Sequence, residues 1–387
     1  MRLTTDEVAR RLGVRKATVY AYVSRGLLTS KRHGDGKESL FDEAEVTAFA
    51  AGRRRAGATG PEVHTGLTLI TEESLYYRGR DVCSLAATAS FESVVSLLWT
   101  GSDAAGRWDP DPAVLRTVRA VMGSLPPDVR AADRLRIAVA AGAAADRLRF
   151  DLTPAAVVAT GRGLIGTMVA ALDPPAPVKD SLAAALWPRL TDRDPTPDGV
   201  AALNTALVLL ADHDLAASTF AARVAASTRA DPWSVVSAGL AALAGPLHGA
   251  ASGLAYQLLT SPDPMAAVAE QRRLHGGVPG FGHPLYPGGD PRARTLLAAI
   301  PGTDAMAAVV EAAAGRSGIA PNIDFALAAL ALSTGMGPDA GEAVFAIART
   351  AGWIAHALEE YADQPSRFRP AGRYAGRAPA ETVRPHD

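Results

Sequence analysis

The chain has 387 residues, 48% of them hydrophobic and 20% charged, which suits two or three packed domains and excludes a disordered chain. Aromatics supply only 6%, so core volume has to come mainly from Ala, Leu and Val. A formal net charge of −1 excludes a uniformly basic chain, and the single cysteine, Cys83, excludes an intramolecular disulfide and points to a reducing, cytoplasmic setting.

Charge is unevenly spread. Residues 1–57 carry 12 Lys+Arg against 7 Asp+Glu, and the remainder carries 27 against 33, so a basic head precedes an acidic body. In the head, Thr4 and Glu7 stand at capping-box spacing and predict a helix running to Leu12, with Gly13 ending it. A second helix is predicted over Arg15–Val23, broken by Gly26. Two short helices on a tight Gly turn make a helix-turn-helix. Lys31 to Lys37 then reads as a basic hairpin tip, and Phe41 as the start of a third helix leading to Arg53-Arg54-Arg55. The arrangement resembles the winged helix-turn-helix of the MerR and excisionase type. Arg15, Lys16, Thr18 and Tyr20 on the second helix, with Lys31 and Arg32 in the wing, are the candidate DNA contacts, able to reach phosphates and base edges. The bland alternative is a helical appendage carrying surface arginines.

From residue 60 the pattern is helical almost throughout: Ala-rich segments alternate with breaks such as Asp109-Pro110-Asp111-Pro112, Asp173-Pro174-Pro175 and Asp194-Pro195-Thr196-Pro197. The body is therefore expected to be all-α. Its apolar runs are too short or too interrupted for a membrane span, no signal peptide is read, and the polar end, residues 377–387, is expected to be a loose arm. Gly161-Arg162-Gly163-Leu164-Ile165-Gly166 matches a dinucleotide fingerprint, but no βαβ alternation surrounds it, so close helix packing through glycine is the better reading. None of the eight histidines shows HxxxH or HExxH spacing and no cysteine cluster exists, so no metal is expected.

Three stretches place chemistry-bearing residues beside Gly or Pro, where helices end: Gly245-Pro246-Leu247-His248-Gly249, then Val278-Pro279-Gly280-Phe281-Gly282-His283 continuing to Asp290-Pro291-Arg292-Ala293, then Pro321-Asn322-Ile323-Asp324-Phe325. A histidine between glycines has little packing reason to be in an Ala/Leu-rich chain. Asp324 alone reads equally as a helix cap. Together, and in this order, the stretches resemble the citrate synthase family. Tyr77-Arg78-Gly79, Phe91-Glu92, Ala211-Asp212-His213-Asp214, Ala217-Ser218-Thr219-Phe220, Phe345 to Trp353 and Arg369-Pro370 extend the likeness over about residues 62–376.

The resemblance implies an all-α large domain (60–248 plus 330–376) and a small lid domain (249–329), with no cofactor and acetyl-CoA as a substrate. It implies that Asp324 is the base that takes the acyl methyl proton. His248 would hydrogen-bond the thioester oxygen, and His283 the oxaloacetate carbonyl. His213, Arg292, Arg349 and Arg369 would hold the oxaloacetate dianion, Arg369 acting in the neighbouring subunit of a homodimer. Residues 278–282 would lie along CoA. Guanidinium forks match carboxylates, and a base works on so weak an acid only beside a donor for the enolate. Departures fall near the CoA segment: Pro284-Leu285-Tyr286-Pro287 stands where many members carry a basic residue, Ala250-Ala251-Ser252 follows the first turn, and Leu210 replaces a common histidine. Three functions stay open at this stage. They are citrate formation from acetyl-CoA, 2-methylcitrate formation from propanoyl-CoA, and a metabolite-sensing transcription regulator with a synthase-like body.

Overall fold

The structure is a computed structural model and describes residues 2–12, 14, 16–24, 28–32, 39–43, 46, 63–103, 108–172, 181–246, 248–315, 318–364 and 368. Arg15 and Arg369, the side chains of Lys31 and Arg32, the wing tip, Arg53 to Arg55 and the C-terminal arm lie outside the described residues. Two compact units divide the chain, Met1–His64 with Phe368–Asp387 in one and Thr65–Arg367 in the other.

The small unit is ordered β1 (Arg2–Thr4), α1 (Thr5–Leu12), α2 (Lys16–Ser24), β2 (Ser30–Arg32) and β3 (Ser39–Asp42). The capping box forms: Thr4 N–H donates to Glu7 at 2.8 Å, and Glu7 N–H to Thr4 Oγ1 at 3.4 Å. β3 lies between β1 and β2, antiparallel to both. Phe41 does not open a helix as its sequence context predicts. It pairs with Leu3 in the sheet and is buried with Leu3, Val8, Ala9, Val19, Leu28 and Val46. The predicted third helix starts later, Glu43 and Val46 being helical, because pairing and burial of the Phe41 ring keep Phe41 and Asp42 in the strand.

The large unit opens with a three-stranded antiparallel meander, β4 (Thr68–Ile70), β5 (Leu75–Tyr77) and β6 (Arg80–Asp81). Fifteen helices are described after it. The first seven are α3 (Val82–Thr88), α4 (Phe91–Thr100), α5 (Pro112–Met122), α6 (Ala131–Ala145), α7 (Pro154–Ala170), α8 (Leu182–Leu190) and α9 (Pro197–Leu210). Then come α10 (Ala217–Ser227), α11 (Pro232–Leu243), α12 (Ala251–Leu259), α13 (Pro264–His275), α14 (Pro291–Ala298), α15 (Asp304–Ala314), α16 (Ile323–Thr334) and α17 (Ala340–Ala362). The all-α expectation for the body holds, the meander being its one strand element among the described residues.

One local rule starts four of these helices. Asp111, Asp231, Asp263 and Asp290 each accept a first-turn N–H and are each followed by Pro at the first helical position. Proline has no N–H to leave unpaired there. The 23-residue α17 is buried nearly all round and packs on α4, α6, α7, α9, α10 and α11. Glycine permits the close approaches: a Cβ on Gly239 of α11 would lie 2.5 Å from the Trp353 indole. The fingerprint-like glycines sit inside α7, where Gly161 faces Trp99 and Gly166 faces the backbone of Trp108, as the packing reading requires. Further along the chain, α12 and α14 pack on α16, and α13 packs on α15.

Candidate active site

The first functional turn follows α11. His248 N–H donates to Gly245 O and Gly249 N–H to Leu243 O, both at 2.9 Å, so the helix end folds back sharply. A Cβ on Gly249 would sit 2.8 Å from Leu243 O, which explains the glycine. His248 Nε2 lies 2.8 Å from Ser218 Oγ on α10, and its ring stands edge-on to Phe345 of α17, centroids 5.6 Å apart. Among the described residues Nδ1 takes no partner and is left for a ligand. Burial, and secondarily the Arg349 charge, push the imidazole down to about 4, so it is neutral at neutral pH.

The second and third stretches form one piece of structure. Phe281 bridges Pro321 in antiparallel fashion, Gly282 N–H donates to Ala320 O at 2.8 Å, and Asn322 N–H donates to Gly280 O at 2.8 Å. The Asn322 side chain clamps the joint: its amide donates to Gly282 O at 2.9 Å, while its oxygen accepts Asp324 N–H at 3.0 Å as the N-cap of α16. Gly280 and Gly282 both have positive φ, +83° and +74°, so the chain reverses twice in three residues on its way to His283. Asp290 ties in the next helix. It caps α14, grips Arg292 through both oxygens at 3.0 and 2.8 Å, and accepts Ile323 N–H at 3.1 Å. Asp324 and His283 are thus positioned by a shared frame, although 41 residues separate them.

His283 accepts the Leu285 N–H at Nδ1, 3.2 Å, so its neutral form carries the proton on Nε2 as a free donor. Burial and the Arg292 charge hold it below the ordinary imidazole range. His213, in the loop after α9, meets His283 edge to face at 5.4 Å. That loop is held from behind: Tyr77 Oη donates to Asp212 O at 2.8 Å, and Gly352 N–H of α17 donates to Ala211 O at 2.9 Å. Burial, then Arg292 and Arg349, drive His213 well below its ordinary range.

The two described arginines are buried. Arg292 spends one guanidinium edge on Asp290; Arg349 donates Nε–H to Leu210 O at 2.8 Å and has a buried Nη2 with no partner among the described residues. Burial lowers Arg349 to about 10, which still leaves it charged. Its charge acts on His248, His213 and Asp324 together. Two buried cations beside neutral histidines are chemically suited to an anion with two carboxylates.

A cavity of about 380 Å³ is lined by Pro246, Ala251, Leu254, His275, Val278, Pro279, Gly280, Phe281 and Asp324 among others. Phe281 packs on Phe325 at 5.0 Å to form one wall. Gly282 lies outside the lining. Asp324 is the carboxyl at the cavity, with Oδ1 unpartnered among the described residues; burial raises it to about 6 against the opposing pull of Arg292 and Arg349. A carboxyl whose proton affinity is raised toward neutrality, at the wall of a largely apolar slot, is suited to moving a proton on and off carbon.

The structure therefore gathers His248, His283, Asp324, His213, Arg292 and Arg349 in one region and lines the cavity at Asp324 with Val278, Pro279, Gly280 and Phe281. In the small unit, Lys16 is exposed but ion-paired to Asp6 at 2.6 Å, Thr18 is half-buried and Tyr20 is exposed. Sequence reasoning missed Ser218, Asn322, Asp290 and Tyr286 as parts of the site. Each stood within a quoted stretch, but only the contacts reveal its work. Among the described residues no group of three or more His, Cys, Asp or Glu is placed to hold a metal ion, and no helix is long and apolar enough to cross a membrane.

Comparison with known proteins decides the family. The family model "Citrate synthase, C-terminal domain" matches residues 60–371. The chain belongs to the citrate synthase family. Its members are acyltransferases, and this one carries a helix-turn-helix head, since a "Helix-turn-helix domain" model matches residues 2–54. Similar proteins include Citrate synthase 2 of Bacillus subtilis, 30% identical over 81% of this chain and 93% of that one, and a citrate synthase of Haloferax volcanii, 32% identical over 78% and 89%. 2-methylcitrate synthase 2 of Corynebacterium glutamicum is also 30% identical, over 80% and 91%. A citrate synthase of Thermoplasma acidophilum, solved with carboxymethyl coenzyme A and oxaloacetate, superposes with a TM-score of 0.69 at 25% identity, over 85% of this chain and 98% of that one.

Proposed function

We propose that the large unit condenses an acyl-CoA with oxaloacetate, acetyl-CoA giving citrate and CoA. The observation that carries this reading is the Asp324 carboxyl, raised to about 6 and unpartnered at Oδ1, at a cavity flanked by the turn that holds a neutral His248. Asp324 takes a proton from the acyl carbon as His248, anchored through Nε2 by Ser218, donates from Nδ1 to the thioester oxygen that gains charge. The resulting enolate carbon attacks the oxaloacetate carbonyl, whose π electrons move onto its oxygen, and that oxygen takes the proton of His283 Nε2–H. Arg292 and Arg349, with His213, hold the carboxylates and fix which face is attacked. Water then cleaves the thioester, releasing CoA. No cofactor enters; the acyl-CoA is a substrate, lying along residues 278–281.

The helices of residues 249–329 serve as the lid over the rest of the large unit, and closure excludes water from the thioester. Arg369 completes the dicarboxylate site from the second subunit of a homodimer. Thiol release from acetyl-CoA or propanoyl-CoA, with and without oxaloacetate, tests the proposal; no release from either substrate refutes it. Propanoyl-CoA as the preferred donor is the second reading, favoured by equal likeness to a 2-methylcitrate synthase. The head supports a further role, binding DNA through α2 and the wing, which a gel shift with and without oxaloacetate examines. A body that shifts DNA in response to ligand but turns over no acyl-CoA would be a regulator.

A further inference from the structure

Three of the residues assigned to oxaloacetate meet on one phenol. Tyr286 is 1% exposed, its Oη lies 3.0 Å from His213 Nε2, its ring centroid is 4.9 Å from that of His283, and the Arg292 guanidinium sits 5.5 Å from its face. The bond to His213 can run either way. If Nε2–H donated to Oη, the phenol proton would be left buried with no acceptor, because among the described residues Oη has no other partner. An unsatisfied buried donor is costly, so the phenol donates to Nε2. A neutral imidazole that accepts at Nε2 carries its one proton on Nδ1, which has no partner among the described residues.

Resting on the condensation reading above, we infer that Tyr286 is a positioning residue for the dicarboxylate: by donating to His213 Nε2 it places that histidine's proton on Nδ1, as a donor to substrate oxygen. Without this bond the free imidazole favours the other tautomer and presents a lone pair to an anion. Burial raises the phenol to about 12 and keeps it protonated, and burial keeps His213 neutral, so the arrangement persists across the working pH range. The same ring, held between His283 and Arg292, fixes the spacing of the electrophilic donor and the carboxylate clamp. A phenylalanine would keep that packing and lose only the hydroxyl.

The test uses the full chain labelled with 13C,15N-histidine. Magic-angle-spinning NMR reads the tautomer of His213, assigned by loss of its signals in His213→Asn, in the unaltered protein and in Tyr286→Phe. Calorimetry reads oxaloacetate affinity, and turnover reads KM for each substrate. The expected result is an Nδ1–H tautomer that moves to Nε2–H in Tyr286→Phe. Oxaloacetate Kd and KM then rise about tenfold, the scale of one hydrogen bond to a charged group, with acetyl-CoA KM unchanged. An Nε2–H tautomer in the unaltered protein, or unaltered oxaloacetate affinity in Tyr286→Phe, overturns the inference. If the tautomer and oxaloacetate affinity change as expected but no acyl-CoA is consumed by the unaltered protein, the condensation reading fails and this one stands.

Discussion

Asp324→Asn should make the protein inactive and more stable at the same time. Burial lifts the carboxyl from an ordinary 3.8 to about 6, which corresponds to roughly 3 kcal/mol of folding free energy once the group is ionised. The folded state binds this proton more tightly than the unfolded chain. Its favourable contribution is therefore complete below pH 3.8 and lost as pH rises through about 6. Asparagine has no proton to lose and no charge to bury, so the two proteins should unfold alike near pH 4 and diverge above pH 6. At pH 8 the variant should unfold about 6 °C higher, taking roughly 2 °C per kcal/mol for a unit of this size. Differential scanning calorimetry across pH 4–8 reads the divergence, and the thiol assay should show a loss of roughly 10²–10⁴-fold in kcat. A variant that melts at or below the unaltered protein at pH 8 would refute the claim that Asp324 is a desolvated base under strain. It would mean that the arginine charges outweigh burial.

Other expectations follow from the same geometry. Condensation should fall about tenfold per pH unit below about 6, as Asp324 takes a proton, while His248, lowered to about 4, stays neutral; a pH profile of kcat checks both. Ser218→Ala removes the 2.8 Å anchor of His248 and should cut kcat about tenfold with little change in either KM. In Gly352→Ala the added methyl would lie 2.6 Å from Ala211 O, forcing α17 off the His213 loop; a loss of about 3 kcal/mol in urea unfolding, with weakened oxaloacetate binding, is expected. If the head binds DNA through phosphates, its affinity should fall steeply between 50 and 200 mM salt, measured by fluorescence anisotropy.

The site was legible in the sequence where local chemistry and backbone geometry agree. His248, His283 and Asp324 stand beside Gly or Pro at helix ends, and those breaks are visible without any structure. His213, Arg292 and Arg349 were legible only through the resemblance, because an arginine among 35 in an Ala-rich chain carries no local mark. Ser218, Tyr286 and Asp290 act through contacts 30, 73 and 33 residues away in the chain, and no window of sequence spans those distances. Phe41 shows the converse failure: it reads as a helix start, yet a sheet partner 38 residues earlier holds it in a strand and the helical residues begin only at Glu43.

What the sequence by itself determined was the helical class of the body, the Asp-Pro starts of its helices and the turns that present the reactive side chains. Those depend on φ limits, caps and periodicity, all of which act within a few residues. Only the tertiary structure decided which nitrogen of each histidine meets a protein partner, why Asp324 holds its proton to about 6, and why His248 does not hold one. Proton affinity is set by how much water is removed and which charges remain nearby, and α9, α10, α14, α16 and α17 supply that surrounding from distant parts of the chain.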